Sequence, residues 1–291
     1  MVSMFRARPL LSLVFLAALM TIEVVPASAQ QTATVVDERV TVAGGLDFRN
    51  VYMFRGVRQD DTGVIAWPNA EVGVRLHSGN TGLTSARLWV GTWNSVHSGW
   101  AGSDGPSGKR WYESDIYATV ALGFGNAATL NTTYTTYRSP NKMFTTVKEI
   151  SVTAAIDGVA IGRAALNPYG LVAFELDTKP GIGQLDGGFK SGRYLELGVS
   201  PGYPAPRIGI AVPVKVGLSL GNYYELAGKD RKFGYASVAG LVTVPLGGTA
   251  NANGWNLHGG VEYQLLGDMA KAINNGDGSK TIGSVGVGFS Y

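Results

Sequence analysis

The feature that most constrains this chain is a two-residue rhythm that recurs along most of its length. In VTVAGGLDFR (40–49) the even positions are Val40, Val42, Gly44, Leu46 and Phe48, and the odd ones Thr41, Ala43, Gly45, Asp47 and Arg49. Successive strand side chains point to opposite faces, so one face of this segment is apolar and the other polar or small. The alternation returns at Ala70-Val72-Val74-Leu76 against Glu71 and Arg75, and at Ile116-Ala118-Val120-Leu122-Phe124 against Asp115, Tyr117 and Thr119. It recurs at Ile150–Ile156 against Glu149, at Leu195–Val199 against Glu196, and at Val214–Leu220 against Lys215. Two further runs, Leu257–Leu265 against His258 and Glu262 and Val285–Tyr291 against Gly286, Gly288 and Ser290, complete the strong set. Weaker runs near 84–93, 128–138, 165–176 and 233–245 bring the total to about twelve strands, each near the ~10 residues of a tilted membrane-crossing strand.

The connectors alternate in length. Short turns are expected at SGNTG (78–82), GNAA (125–128) and DGVAIGRA (157–164), and long loops at 94–110, 177–192, 221–232 and 266–280. Short turns at one end and long loops at the other are the habit of an outer-membrane barrel. A soluble β-sandwich or lipocalin-like barrel would alternate in the same way with its oily face turned inward. Here the non-oily faces carry glycine, serine, threonine and sparse charge, which suits a crowded wet lumen. Aromatics near strand ends (Trp89, Trp93, Trp111, Tyr112, Tyr223 and Tyr224) are expected at the lipid headgroups. The last residues, GSVGVGFSY (283–291), read as a strand that closes the sheet onto its first strand, because lipid tolerates no unpaired edge. The reading is an all-β, closed antiparallel transmembrane β-barrel in a single domain. Phe289 and Tyr291 also resemble the terminal signal read by the bacterial barrel-assembly machinery, an expected partner during biogenesis.

Arg6 and Arg8 precede the apolar run Leu10–Met20, and Ala27-Ser28-Ala29 follows it. That order predicts a signal peptide over 1–29, cleaved after Ala29, with the barrel over 30–291 and export to the outer membrane. Cleavage would remove Arg6, Arg8 and Glu23 and lower the net charge from +3 to +2. So small a charge, with no basic cluster interleaved with aromatics, argues against a nucleic-acid partner. The chain has no cysteine, which excludes a disulfide framework and a lipoprotein anchor.

One stretch falls outside the strand rhythm. Residues 50–59 read NVYMFRGVRQ, and Tyr52, Phe54, Arg55, Gly56 and Gln59 fit an aromatic-x-x-R-G-x-x-Q pattern. This resembles the first hairpin of the TorF family of proteobacterial porins, although that family places a serine where Val57 or Arg58 stands. The resemblance implies an outer-membrane barrel and supplies no mechanism. If the strand stays regular, Arg55 keeps the inward parity of Asp47 and Arg49, with Glu71 as its candidate partner.

Catalytic chemistry finds little footing. The three histidines are His77, His97 and His258, and His97 is expected in an exposed loop away from any nucleophile. GFGNAA (123–128) imitates a dinucleotide fingerprint but feeds a strand, not a helix. Asp60-Asp61 and NNGDGSK (274–280) lack the ligand spacing of a calcium loop and read as solvated turns. No cofactor, metal or enzymatic activity is expected. The expected function is a porin-like channel among outer-membrane lipids, passing small polar solutes or ions. Asp47, Arg49, Arg55, Glu71, Arg75, Glu113, Asp115, Glu149, Glu196, Lys215 and Glu262 are the expected lumen lining, of mixed sign. The alternatives are a non-conducting scaffold of the envelope and, further off, a lipid-modifying barrel enzyme.

Overall fold

The computed structural model describes residues 39–101, 108–162, 164–176, 190–204, 208–246 and 254–291; the expected signal peptide lies outside them. Twelve antiparallel strands form one wall: β1 (Val40–Arg49), β2 (Ile65–Ser78), β3 (Leu83–His97), β4 (Trp111–Phe124), β5 (Ala128–Tyr137), β6 (Val147–Ile156), β7 (Pro168–Glu175), β8 (Arg193–Val199), β9 (Val214–Gly221), β10 (Phe233–Leu246), β11 (Gly254–Leu266) and β12 (Ser279–Ser290). Each pairs with its chain neighbour, and β12 returns to β1 in the register Ala43↔Ser290 to Arg49↔Ser284. Tyr291 extends this seam: its N–H donates to the Val42 carbonyl at 2.8 Å and its carbonyl accepts from the Val42 N–H at 2.6 Å. The wall is a closed barrel.

The barrel is turned inside out relative to a soluble protein. Along β1 the even, apolar positions Val40, Val42 and Phe48 are exposed, while Thr41, Ala43 and Arg49 are buried. Val72, Val120, Val238 and Val261 repeat the outward set, at 44%, 43%, 45% and 57% exposure, and Glu71, Thr119, Ser237 and Glu262 beside them are buried. An exterior of this kind is stable only against hydrocarbon.

The connections after β1, β3, β5, β7, β9 and β11 leave the wall at one end, here the long-loop end. The opposite, short-turn end gathers the four-residue and three-residue turns 79–82 and 125–127 with the start of β1 and the end of β12. The connection expected as a short turn at 157–164 runs over 157–167, and the next at this end, 200–213, is also long. β7, β8 and β9 have only 8, 7 and 8 residues. Short ladders between Ala160–Ile161 and Ala164–Ala165, and between Gly202–Pro204 and Gly209–Ala211, continue the wall below them. Gly209–Ala211 also pairs onto β10 at Thr243 to Leu241. These ladders satisfy backbone groups that lipid would leave bare.

The aromatic expectation needs correction. Trp89, Trp93, Tyr112, Tyr223 and Tyr224 are buried in the barrel, and of the named set Trp111 alone is exposed. Parity decides the matter for Trp89 and Trp93, which share the inward face of β3 with Arg87. Inward rings lie over glycines directly opposite on the next strand, as in Gly73↔Trp89, Gly91↔Tyr117, Gly198↔Tyr169 and Gly217↔Tyr235. A Cβ at Gly73 would sit 2.6 Å from the Trp89 ring, so glycine is what lets a large ring lie flat on the inner wall. Trp111 is joined near the rims by other exposed aromatics: Phe124, Trp255 and Tyr291 at the short-turn end, Phe48, Phe174 and Phe233 at the long-loop end.

Candidate functional site

β1 stops at Arg49, and the chain then leaves the wall. Tyr52–Phe54 and Val57–Asp60 pair only with each other, as a small hairpin separate from the barrel sheet. Its two turn residues have φ of 47° at Arg55 and 82° at Gly56, the left-handed pair of a tight two-residue hairpin turn. For arginine that conformation costs roughly 1–2 kcal/mol. Gly56 is required twice over, since a Cβ would also lie 3.0 Å from Cβ of Tyr235.

The hairpin touches the wall on every side. The Tyr52 ring meets Trp67 of β2 at 5.1 Å, Trp93 of β3 at 5.7 Å and Tyr112 of β4 at 6.0 Å between centroids. Its hydroxyl donates to Glu113 Oε2 at 2.7 Å, and Phe54 meets Tyr137 of β5 at 5.6 Å. Arg55 reaches Glu149 of β6 and Tyr194 of β8, and Gly56 packs against Tyr235 of β10. Beyond α1 (Asp268–Ile273), Asn274 closes the circle: its Nδ2 donates to the Gly56 carbonyl and its Oδ1 accepts from the Arg58 N–H, both at 2.8 Å. One hairpin can reach strands around a closed wall only from inside. Tyr52, Met53 and Phe54 are at most 1% exposed, so residues 50–61 lie across the lumen at the long-loop end.

The interior is acidic. Among the described residues the buried carboxylates Asp60, Glu71, Glu113, Asp115, Glu149, Glu175, Glu196 and Glu262 outnumber the buried cations Arg49, Arg55, Arg87 and Lys215. Tyrosine hydroxyls satisfy much of this charge. Glu196 accepts from Tyr169, Tyr194 and Tyr235 at 2.6, 2.8 and 2.7 Å, with Lys215 Nζ 3.8 Å away. Glu71 accepts from Tyr117 at 3.0 Å. Asp47 meets His258 at 2.8 Å, and toward the short-turn end Arg75 stands opposite Arg87 in register. Arg49 lies over the Trp67 ring at 4.0 Å. The named lumen residues on the strands therefore all stand on inward positions. Arg55 is the exception in origin: it arrives on the hairpin, and its partner is Glu149, not Glu71.

Two further expectations are overturned. His97 is the last residue of β3, fully buried, and Asp60 is buried in the hairpin, where a solvated turn was expected. His97 Nδ1–H donates to Asp60 Oδ2 at 2.6 Å, Ser95 Oγ and His97 Nε2 share a hydrogen bond at 2.6 Å, and Trp67 Nε1–H donates to Ser95 Oγ at 2.9 Å. Burial alone would raise the Asp60 carboxyl, but hydrogen bonds from His97 and Thr62 outweigh it and hold Asp60 below its ordinary value. The Ser-His-Asp order imitates a nucleophilic relay, yet its serine has no exposure and its aspartate is brought by the hairpin that covers it. It is a tether between hairpin and wall. Within 274–280, Asn274 departs from the solvated-turn expectation, being buried against Gly56, while 275–278 are the exposed turn expected there.

No protein-family model matches the chain, and no curated protein matches it. Among solved structures it is similar to an outer-membrane channel from Pseudomonas putida F1, at 11% identity and a TM-score of 0.47 over 87% of this chain and 96% of that one. It is also similar to the translocator domain of the autotransporter NalP from Neisseria meningitidis (15%, 0.47, 88% and 90%) and to the NanC porin (13%, 0.44, 86% and 98%). At this level of similarity the function rests on the interior described above.

Proposed function

We propose that this chain is an outer-membrane channel for small polar solutes or ions, and that residues 50–61 hold it in a closed state. The observation that carries the reading is the hairpin itself. It is a covalent insert in a polar, charged lumen, joined to the wall strands only through 50–51 and 61–64, and it pairs with no wall strand. A structural barrel could fill its core with wall side chains alone. The aromatic-x-x-R-G-x-x-Q stretch, and with it membership in the TorF family of porins, would then mark the closing element. Export through a cleaved signal peptide and insertion by the barrel-assembly machinery complete the proposal. The chain is not an enzyme on this reading, because its one Ser-His-Asp relay exists only while covered.

Liposome swelling tests this directly. Proteoliposomes carrying a variant with 52–60 replaced by a short glycine-serine linker should swell in small sugars and salts, and wild type should swell far more slowly. A heat-modifiable, correctly folded variant that passes nothing would leave the scaffold reading in its place.

A further inference from the structure

The Arg55 guanidinium sits in a recess that the wall supplies almost whole. Nη1 and Nη2 donate to Glu149 Oε2 and Oε1 at 2.7 and 2.9 Å, a two-point clamp on a planar cation. Nη1 also donates to the Tyr223 hydroxyl at 2.7 Å. The Tyr194 ring lies 4.2 Å from the guanidinium carbon and the Tyr223 ring 5.3 Å, so aromatic faces cover the cation beside the clamp. Tyr137 donates to Glu149 Oε1 at 3.2 Å and fixes the carboxylate. Phe54 is the one cage ring that the hairpin brings itself, at 5.0 Å.

Three facts separate this from an ordinary buried ion pair. Tyr137, Glu149, Tyr194 and Tyr223 come from β5, β6, β8 and the loop after β9, so the clamp and three of its rings belong to segments other than the hairpin. The cation is delivered on a left-handed, non-glycine turn residue, and strain of that kind concentrates where a contact is functional. The surrounding interior is acidic, a field that favours cations.

We infer that the Glu149–Tyr137–Tyr194–Tyr223 recess is a binding site for guanidinium-bearing solutes, and that Arg55 occupies it as a built-in stand-in for that ligand. The inference rests on the channel reading and adds a solute class to it: planar organic cations compete with Arg55 for the recess, and their binding displaces the hairpin. Neutral planar analogues such as urea match the shape but not the charge, and burying an unpaired Glu149 against them is costly.

The test uses the full chain in detergent micelles, with guanidinium as the probe and urea as its neutral counterpart. Arg55→Met vacates the recess while keeping an unbranched stem. Calorimetric titration should show this variant binding guanidinium about tenfold or more tighter than Arg55→Met/Glu149→Gln does, with no comparable heat from urea. If Arg55→Met does not reach the heat-modifiable form alone, refolding with millimolar guanidinium should restore that form, and urea should not. Equal affinity in the single and double variants, or equal rescue by urea, would overturn the inference. Binding and refolding are read without any current, so they can fail while the linker variant conducts, or succeed while it does not; the two readings are separable.

Discussion

The barrel wall and the inner hairpin obey different rules. In the wall a residue's face follows from counting by twos, and each strand is held by ladders to both neighbours. The hairpin has no ladder to the wall, and its position is fixed by side chains: one bidentate ion pair, the His97–Asp60 tether, the Asn274 clamp and the Tyr52 ring cluster. Backbone ladders make the wall permanent, whereas a side-chain-held insert can come and go without breaking the sheet. Charge should therefore have opposite consequences in the two regions.

The largest effect is expected in the wall. Val72→Lys places a charge on the lipid face and should cost about 2–4 kcal/mol if it lies at the bilayer midplane, less nearer a rim, read as a loss of the heat-modifiable band. A fully folded Val72→Lys protein would break the distinction between faces. Tyr52→Phe, in the hairpin, leaves Glu113 without that hydroxyl and should cost about 1–3 kcal/mol. The loss should be local: faster hydrogen exchange over 52–60, with wall strands unchanged. Uniform acceleration across β1–β12 would show the hairpin to be part of the wall's own stability.

Asp60 gives a pH signature. Its folded value lies below its unfolded one, so the tether's contribution is fully present above the ordinary aspartate value of about 4 and is lost as pH falls through the depressed value. Hairpin exchange rates, corrected for intrinsic chemistry, should be flat from neutrality to about pH 5 and rise only below about 4. The smallest effect belongs to the short-turn end. Burial raises Asp157 to about 6, so its charge opposes folding, and the loss of stability sets in as pH climbs from the ordinary value toward 6. Asp157→Asn should be slightly more stable than wild type at neutral pH, and the two should match below pH about 4.

How much of this was legible in the sequence follows the same division. Parity alone placed Asp47, Arg49, Glu71, Arg75, Glu113, Asp115, Glu149, Glu196, Lys215 and Glu262 on one face, because the period of a strand leaves no other option. Parity also holds the answer for Trp89 and Trp93, where nearness to strand ends points to the wrong side. The glycines opposite inward rings were the readable clue: Gly73 and Gly91 are gaps sized for Trp89 and Tyr117. The hairpin was not legible. NVYMFRGVRQ carries enough apolar residues to continue β1 as a strand, and only its Arg-Gly turn signals a reversal. Pairings such as Arg55 with Glu149, or Asp60 with His97, join residues 94 and 37 apart, and no local pattern records them.

The central claim is that a channel is present and that residues 50–61 close it. Single-channel recording in planar bilayers, on wild type and on the protein with 52–60 replaced by a glycine-serine linker, tests it most directly. The predicted result is rare, brief openings from wild type and a steady, cation-preferring conductance from the linker protein. Equal conductance from two folded proteins, or none from either, would contradict it.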